Sequence, residues 1–302
     1  MDIFTREGQQ GVRPPLPHIL GMEVAGDVAA VGANVTGVAV GDRVLPPPSV
    51  PCGRCVSGAG AALPTSAPIS RCWDAHATAA TLSSWLVPNV NLLPIPPGLS
   101  YEQAAAIIVA FGTAWHMLVT RGQARPGETV LILAAGSVVG TAAIQVAKYL
   151  GCRVIATASS DAKLEKATEL GADAIINYAS ERFDRRARRL TDGRGVDLVI
   201  EHVGTDTWQH SVAALAPMGR VVTCGSTTGR WGNTDLWSLF GKQISLLGSF
   251  GATHEELMTL LPLVVDGTLK PVIDRTFPLE QAADAHRYMA DRQQFGKLVL
   301  TC

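Results

Sequence analysis

Between Leu131 and Gly140 the chain reads Leu-Ile-Leu-Ala-Ala-Gly-Ser-Val-Val-Gly, an apolar run that ends in small and β-branched residues. Such a segment suits one kind of chemistry. Small side chains let the backbone N–H groups of a strand-to-helix turn come close to a pyrophosphate, and the helix that follows presents its positive end to the anion. Ala135, Gly136, Ser137, Val138 and Val139 are the turn positions that would face the phosphates, and Gly140 lets the helix pack tightly on the strand. Ala134 and Ser137 stand where glycines are expected, so the turn departs from G-x-G-x-x-G, and any tight strand-to-helix turn would give a similar pattern. The order of elements favours the dinucleotide reading. A buried strand enters the turn, a helix runs to Leu150 and closes at Gly151, and a second apolar run follows at Arg153–Ala158.

The end of that second run indicates which dinucleotide. Asp or Glu roughly 20 residues beyond the glycines marks NAD, because a carboxylate accepts hydrogen bonds from the ribose hydroxyls. Here the position is Ala158, followed by Ser159, Ser160 and Asp161, with Lys163 a turn later. Without the carboxylate a 2′-phosphate meets no repulsion, and two hydroxyls, a helix N-terminus and an ammonium attract it. NADP(H) is therefore expected over NAD(H). Ser160 also suits the cap of a helix over Lys163 to Leu170, a role compatible with phosphate binding, and Asp161 reads as a first-turn residue that points away.

The elements that position these residues alternate. Val130–Leu133, Val154–Thr157, Ala174–Asn177, Leu198–Glu201, Arg220–Cys224 and Ile244–Leu247 are strand candidates with helical patterns between most of them. They describe an α/β fold, a Rossmann-type doubly wound parallel sheet of six strands. Before it, residues 1 to about 95 are rich in Gly, Pro and Val and read as irregular β structure, with runs at Val24–Val31, Asp42–Leu45 and Ser84–Val87. A helix opened by the capping pair Ser100 and Gln103 runs toward Phe111. After Gly251 come helices near Glu255–Val265 and Leu279–Arg292 and a last strand, Lys297–Leu300.

The chain has 302 residues, enough for two cores, with 47% apolar residues, 17% charged residues and a net charge of −1. That balance exerts no pull toward nucleic acid or an anionic membrane. Gln103–Thr120 and Thr129–Ala147 lack acidic and basic residues, but Gly, Ala, Ser, Thr, Gln and His dilute them, and a buried core explains them better than a membrane span. No secretory leader is visible, and six scattered cysteines make no disulfide framework, so the cytoplasm is expected.

Several segments together resemble the medium-chain dehydrogenase/reductase superfamily, the zinc-type alcohol dehydrogenases and quinone oxidoreductases. They are Pro17-His-Ile-Leu-Gly-Met-Glu-Val-Ala-Gly26, Val40-Gly-Asp-Arg-Val44, Gly112-Thr-Ala-Trp115, Pro126-Gly-Glu-Thr-Val130, Ile176-Asn-Tyr178 and Phe295-Gly-Lys297. The resemblance implies a GroES-like, β-rich catalytic domain over residues 1–111, a Rossmann domain over 112–251, and a segment 252–302 that completes the first. It implies hydride transfer between NAD(P)H and a small carbonyl, enone or quinone, and a homodimer through the Ile244–Leu247 edge strand. By the resemblance, Lys163 and Tyr178 meet the 2′-phosphate, Cys224, Gly225, Ser226, Gly248, Ser249 and Phe250 lie beside the nicotinamide half, Lys297 is near the phosphates and Thr113 near the nicotinamide. Val203, after the fourth strand, completes the cofactor set. Core packing is the plainer reading of Tyr178 and Cys224.

Departures from the family also carry expectations. Zinc-dependent members have Gly-His-Glu where this chain has Gly21-Met22-Glu23, and a later cysteine ligand aligns with Val109. Catalytic zinc needs about three protein ligands, so none is expected, and Glu23 should find a buried partner instead. Cys52 and Cys55 begin the family's four-cysteine structural zinc pattern, but Gly58 and Ser66 follow where cysteines are needed. Cys72 and His76 could complete a Cys3His site, and free thiols are the plainer reading. Family members carry a few dozen residues before the segment matching Asp2–Arg6, so either a shortened relative or a start that is not the natural one is expected.

Other residues invite readings outside this frame. Arg182, Arg185, Arg186 and Arg189 fall at helical spacing, which suits a solvated face better than a nucleic-acid patch. His116, Trp115 and Trp208 read as packing, while Trp231 and Trp237 lie where substrate contact is conceivable. The expectation is an NADP(H)-dependent, zinc-independent oxidoreductase. The alternatives are a catalytically silent nucleotide-binding sensor or RNA-binding protein, and a residual zinc-dependent alcohol dehydrogenase.

Overall fold

Short strands and long buried ones divide the chain between its two halves. The computed structural model describes residues 2–8, 17–50, 71–72 and 84–302. Two units emerge: Met1–Gly112 with Ala252–Gly267 and Ile273–Cys302, and Thr113–Gly251 with Thr268–Val272.

In the first unit the strands are brief. β1 (Gly26–Asp27), β2 (Arg43–Leu45) and β5 (Leu93–Pro94) form an antiparallel sheet in the order β1-β2-β5, and β3 (Ser49–Val50) pairs with β4 (Arg71–Cys72). The expected strand over Val24–Val31 is only partly formed. Beyond Val28 the chain becomes exposed and turns back through a Val35 N–H to Gly32 carbonyl bond of 3.0 Å. Ser84–Val87 forms no strand at all.

The expected helix from Ser100 breaks into Tyr101–Ala105 and Ile108–Trp115, and a π-helix continues to Arg121. Its capping box is present, with Ser100 Oγ accepting from the Gln103 N–H and Gln103 Oε1 from the Ser100 N–H. The break falls beside the buried β-branched pair Ile107 and Ile108, which crowd the preceding turn. The unit ends with helices His254–Val265 and Ala282–Ala290 and a parallel pair, β12 (Ile273–Pro278) and β13 (Lys297–Thr301). The last helix is shorter than its pattern implied, because Leu279–Gln281 form a 3₁₀ turn before it.

The second unit holds β6 (Thr129–Ile132), β7 (Arg153–Ala158), β8 (Ala174–Asn177), β9 (Val196–Glu201), β10 (Leu215–Thr223) and β11 (Ser245–Gly248). They form one sheet in the order β11-β10-β9-β6-β7-β8, with every neighbour parallel. This is the Rossmann order, two βαβαβ halves meeting where β6 lies beside β9. Val130, Leu131, Ile132, Val154, Ile155, Val199 and Ile200 have no exposed surface, as strands covered on both faces require. Ile244 was expected to open the edge strand. It lies instead in the sheet's own core with Phe183, Val196 and Val221, and the strand starts one residue later.

Candidate functional site

The turn after β6 takes its shape from three residues. Ala134 adopts a left-handed backbone (φ 46°), a conformation that glycine holds without strain and alanine does not. Ser137 caps the helix Val138–Tyr149, its Oγ accepting from the Gly140 N–H at 2.9 Å. A Cβ at Gly140 would lie 2.4 Å from the Ala134 carbonyl oxygen and 2.9 Å from the Ala135 Cα, so only glycine allows this close approach of helix and strand. Ala135 is fully buried and its N–H is bonded to the Thr157 carbonyl at 2.8 Å, which leaves the first turn of the helix to face a ligand.

The loops that end the neighbouring strands meet this turn at the same edge of the sheet. Glu201, the last residue of β9, is fully buried. Its carboxylate accepts from the Val203 N–H (2.6 Å), the Gly204 N–H (3.1 Å), Thr207 Oγ1 (3.0 and 3.1 Å) and Ser211 Oγ (2.6 Å), and so fixes the loop that contains Val203. His202 Nε2 lies 2.9 Å from Ser137 Oγ, linking that loop to the turn after β6. Burial pushes the His202 imidazole down to about 4, so it is neutral at physiological pH.

Cys224 N–H bonds to the Glu201 carbonyl at 3.1 Å, and Ser249 N–H to that of Thr223 at 2.8 Å. Burial, reinforced by the charge of Glu201, pushes the Cys224 thiol up to about 12. Gly225 passes close to His202, since a Cβ there would lie 3.0 Å from the His202 carbonyl oxygen. Three buried polar atoms of this unit have no hydrogen-bond partner among the described residues: Thr157 Oγ1, His202 Nδ1 and Ser249 Oγ. They sit at or just past the C-terminal ends of β7, β9 and β11, where open α/β sheets bind ligands, so the residues present fit a dinucleotide.

At the far end of this edge, Ala158 is buried, Ser159 is exposed and Ser160 occupies the helix N-cap. The Ser160 hydroxyl makes no capping bond, so the capping role expected of it is positional only. Asp161 accepts from Asn177 Nδ2 at 2.7 Å, which directs its carboxylate to the end of β8. Tyr178 donates its N–H to the Ala158 carbonyl at 3.1 Å and leaves its ring exposed, so it is not the core residue of the plainer reading. Lys163 lies on the first turn of the helix Asp161–Glu169. Phe250 is mostly exposed and Thr113 is buried.

In the first unit, Glu23 has the buried partner its position called for. It accepts from the Val109 N–H at 2.9 Å and forms an ion pair with Lys297, the first residue of β13. Burial pushes the Lys297 ammonium down to about 8, and the negative charge of Asp2 opposes that shift. Glu23 and Val109, two positions aligned with zinc-site residues, are thus brought together without the side chains a zinc ion needs. Cys52, Cys55 and His76 lie outside the described residues, and Cys72 is described only through its backbone pairing with Ser49.

Three of the arginines at and beside the helix Phe183–Arg189 have acidic partners. Arg182 pairs with Asp184 (2.7 Å), and Arg186 and Arg189 with Glu181 (3.6 and 2.6 Å). Trp115 packs on Tyr149 and Trp208 bonds to Thr234 Oγ1, whereas Trp231 and Trp237 are largely exposed. Sequence reasoning passed over Thr157, Glu201 and His202. A carboxylate and an imidazole directly after an apolar parallel strand were the available signal.

The fold and this edge define a Rossmann-type dinucleotide-binding protein. The profile of the zinc-binding dehydrogenases matches residues 138–266, and that of the alcohol dehydrogenase GroES-like domain matches residues 1–97. A quinone oxidoreductase of Pseudomonas aeruginosa is 34% identical, over 99% of this chain and 86% of its own length. Among solved structures, an NAD-dependent alcohol dehydrogenase is 40% identical with a TM-score of 0.94, over 100% of this chain and 88% of its own. A 2-octenoyl-CoA carboxylase reductase in complex with NADP and 2-octenoyl-CoA is 32% identical with a TM-score of 0.86, over 99% and 71%. The chain belongs to the medium-chain dehydrogenase/reductase superfamily and is an NAD(P)-dependent oxidoreductase.

Proposed function

We propose that the protein is an NADP(H)-dependent, zinc-independent oxidoreductase that passes hydride to or from a small carbonyl, enone or quinone. The observation that carries the cofactor choice is the end of β7. Ala158 stands where NAD sites place a carboxylate, Asp161 is held by Asn177, and Ser159, Ser160, Lys163 and Tyr178 would supply the contacts to a 2′-phosphate. The diphosphate would rest on Ala135–Gly140. The nicotinamide half would lie along Val203, Cys224–Ser226 and Gly248–Phe250, with Thr113 completing the set. The cofactor supplies the hydride, and the chain binds it, orients it and excludes water.

Zinc independence rests on the donor set. Met22 and Val109 offer no suitable ligand, and Glu23 is committed to Lys297 and a backbone N–H. Negative charge that develops on the substrate oxygen would be met by hydrogen-bond donors or water. The substrate class follows the quinone of the named relative and the unsaturated thioester of the NADP-bound neighbour.

We place the enzyme in the cytoplasm as a homodimer. No helix among the described residues is long and apolar enough to cross a membrane. β11 ends its sheet, and Leu236, Trp237 and Phe240 just before it are exposed apolar surface that a second copy would cover. NADPH oxidation with a panel of enones and quinones in EDTA tests the proposal. Turnover that survives chelation and exceeds that with NADH supports it, and activity restored only by zinc contradicts it.

A further inference from the structure

The contact between Ser137 and His202 has a consequence for where one proton sits. A neutral imidazole carries a single N–H, and a serine hydroxyl offers one proton and two acceptor sites. Ser137 Oγ already accepts from the Gly140 N–H at 2.9 Å and lies 2.9 Å from His202 Nε2. If Nε2 carried the proton, the serine proton and the Nδ1 lone pair would both be left unpaired. If Ser137 donates to Nε2, only Nδ1–H lacks a partner. The second arrangement satisfies more groups, so His202 presents a buried N–H donor from Nδ1 that no group among the described residues accepts.

The place of this donor is specific. β6 and β9 are neighbours and run in the same direction, so the residues just beyond them, Ser137 and His202, flank the point where the strand order reverses. Gly225, with its Cβ position 3.5 Å from the His202 Cβ, packs the loop after β10 against the base of this side chain. Glu201 holds the backbone that follows His202 through the Val203 and Gly204 N–H groups. The ring is thus braced, with one nitrogen engaged by the phosphate turn and the other unengaged.

We infer that His202 is a cofactor-positioning residue of this chain. Oriented by Ser137, it donates its Nδ1–H to an oxygen of the dinucleotide's diphosphate or of the ribose joined to it. The inference rests on the dinucleotide-binding reading of this edge.

Two conservative variants separate ligand contact from bracing. His202→Asn keeps an amide near the place of Nδ1 and gives up the reach to Ser137, whereas His202→Gln can reach Ser137 and has no donor near Nδ1. Dissociation constants for NADPH, ADP-ribose and ADP are measured by calorimetry, with the unfolding midpoint of each ligand-free variant as the folding control. His202→Gln is expected to weaken NADPH by about tenfold, and His202→Asn by no more than about threefold. A matching loss with ADP places the acceptor on the diphosphate, and a loss with ADP-ribose but not ADP places it on the ribose. The reverse ranking of the two variants, or NADPH affinity unchanged in His202→Gln, overturns the inference while leaving the dinucleotide reading intact. No binding of any dinucleotide by the unaltered chain overturns both.

Discussion

Glu23 and Lys297 stand 274 residues apart in sequence and form an ion pair within one compact unit. Both side chains are mostly shielded from water, so each charge depends on the other for its solvation. The pair joins β13, near the C-terminus, to the segment before β1. It also commits the acidic residue that the zinc-type relatives keep next to their histidine ligand.

Breaking this pair from one side should cost more than removing it. Glu23→Gln or Lys297→Met alone is expected to destabilise by about 3 kcal/mol, because each leaves a shielded charge unpaired. The double substitution should recover at least half of that loss. Urea unfolding of the three variants measures it, and additive single effects would show that the two groups are not coupled.

Gly140 tolerates no side chain. A Cβ would lie 2.4 Å from the Ala134 carbonyl oxygen, which is backbone and cannot swing aside. Gly140→Ala is expected to lower stability by about 2 kcal/mol through overpacking and to weaken dinucleotide binding by displacing the helix start. Thermal unfolding and a cofactor titration of the same sample report the two effects separately.

His202 should make folding pH-dependent below neutrality. Its imidazole is held near 4 in the folded chain against 6.5 for the free group, so between those values the unfolded chain binds a proton that the folded chain does not. Stability therefore falls as pH drops from 6.5, and at pH 5.5 the loss from this group is about 1.4 kcal/mol. His202→Asn removes it. The difference between parent and variant unfolding free energies at pH 7.5 and 5.5 isolates this group from the carboxylates, and an unchanged difference would contradict the assignment.

Cys224 should resist thiol reagents, since a thiol held up to about 12 is almost entirely protonated at pH 8. Cys302 is exposed and should alkylate before Cys152 and Cys224. Peptide mapping after a timed iodoacetamide pulse is expected to find Cys302 modified and Cys224 intact, with Cys224 reacting only after denaturation.

The sheet was the most legible part of the sequence. Runs such as Val154–Thr157 are apolar because both faces of a parallel strand are covered, and that signal is local. Ends were blurred: β10 begins at Leu215, five residues before the expected start at Arg220, because Pro217 to Gly219 interrupt the pattern. The first unit was harder, since strands of two or three residues leave no periodicity to read. The site was half legible. The Ala134–Gly140 turn declares itself, but the pairing of Ser137 with His202 spans 65 residues and that of Glu23 with Lys297 spans 274. Only the sheet order and the return of the chain to its first unit bring such partners together.

The most direct test of the account is a titration of the purified chain with NADPH and with NADH, in EDTA, followed by cofactor fluorescence. NADPH is expected to bind more tightly by at least about tenfold, or roughly 1.4 kcal/mol, and Ser160→Ala with Lys163→Ala should erase most of that margin. Equal affinity for the two cofactors, or a preference for NADH, would contradict the reading of the Ala158–Lys163 segment as a 2′-phosphate site.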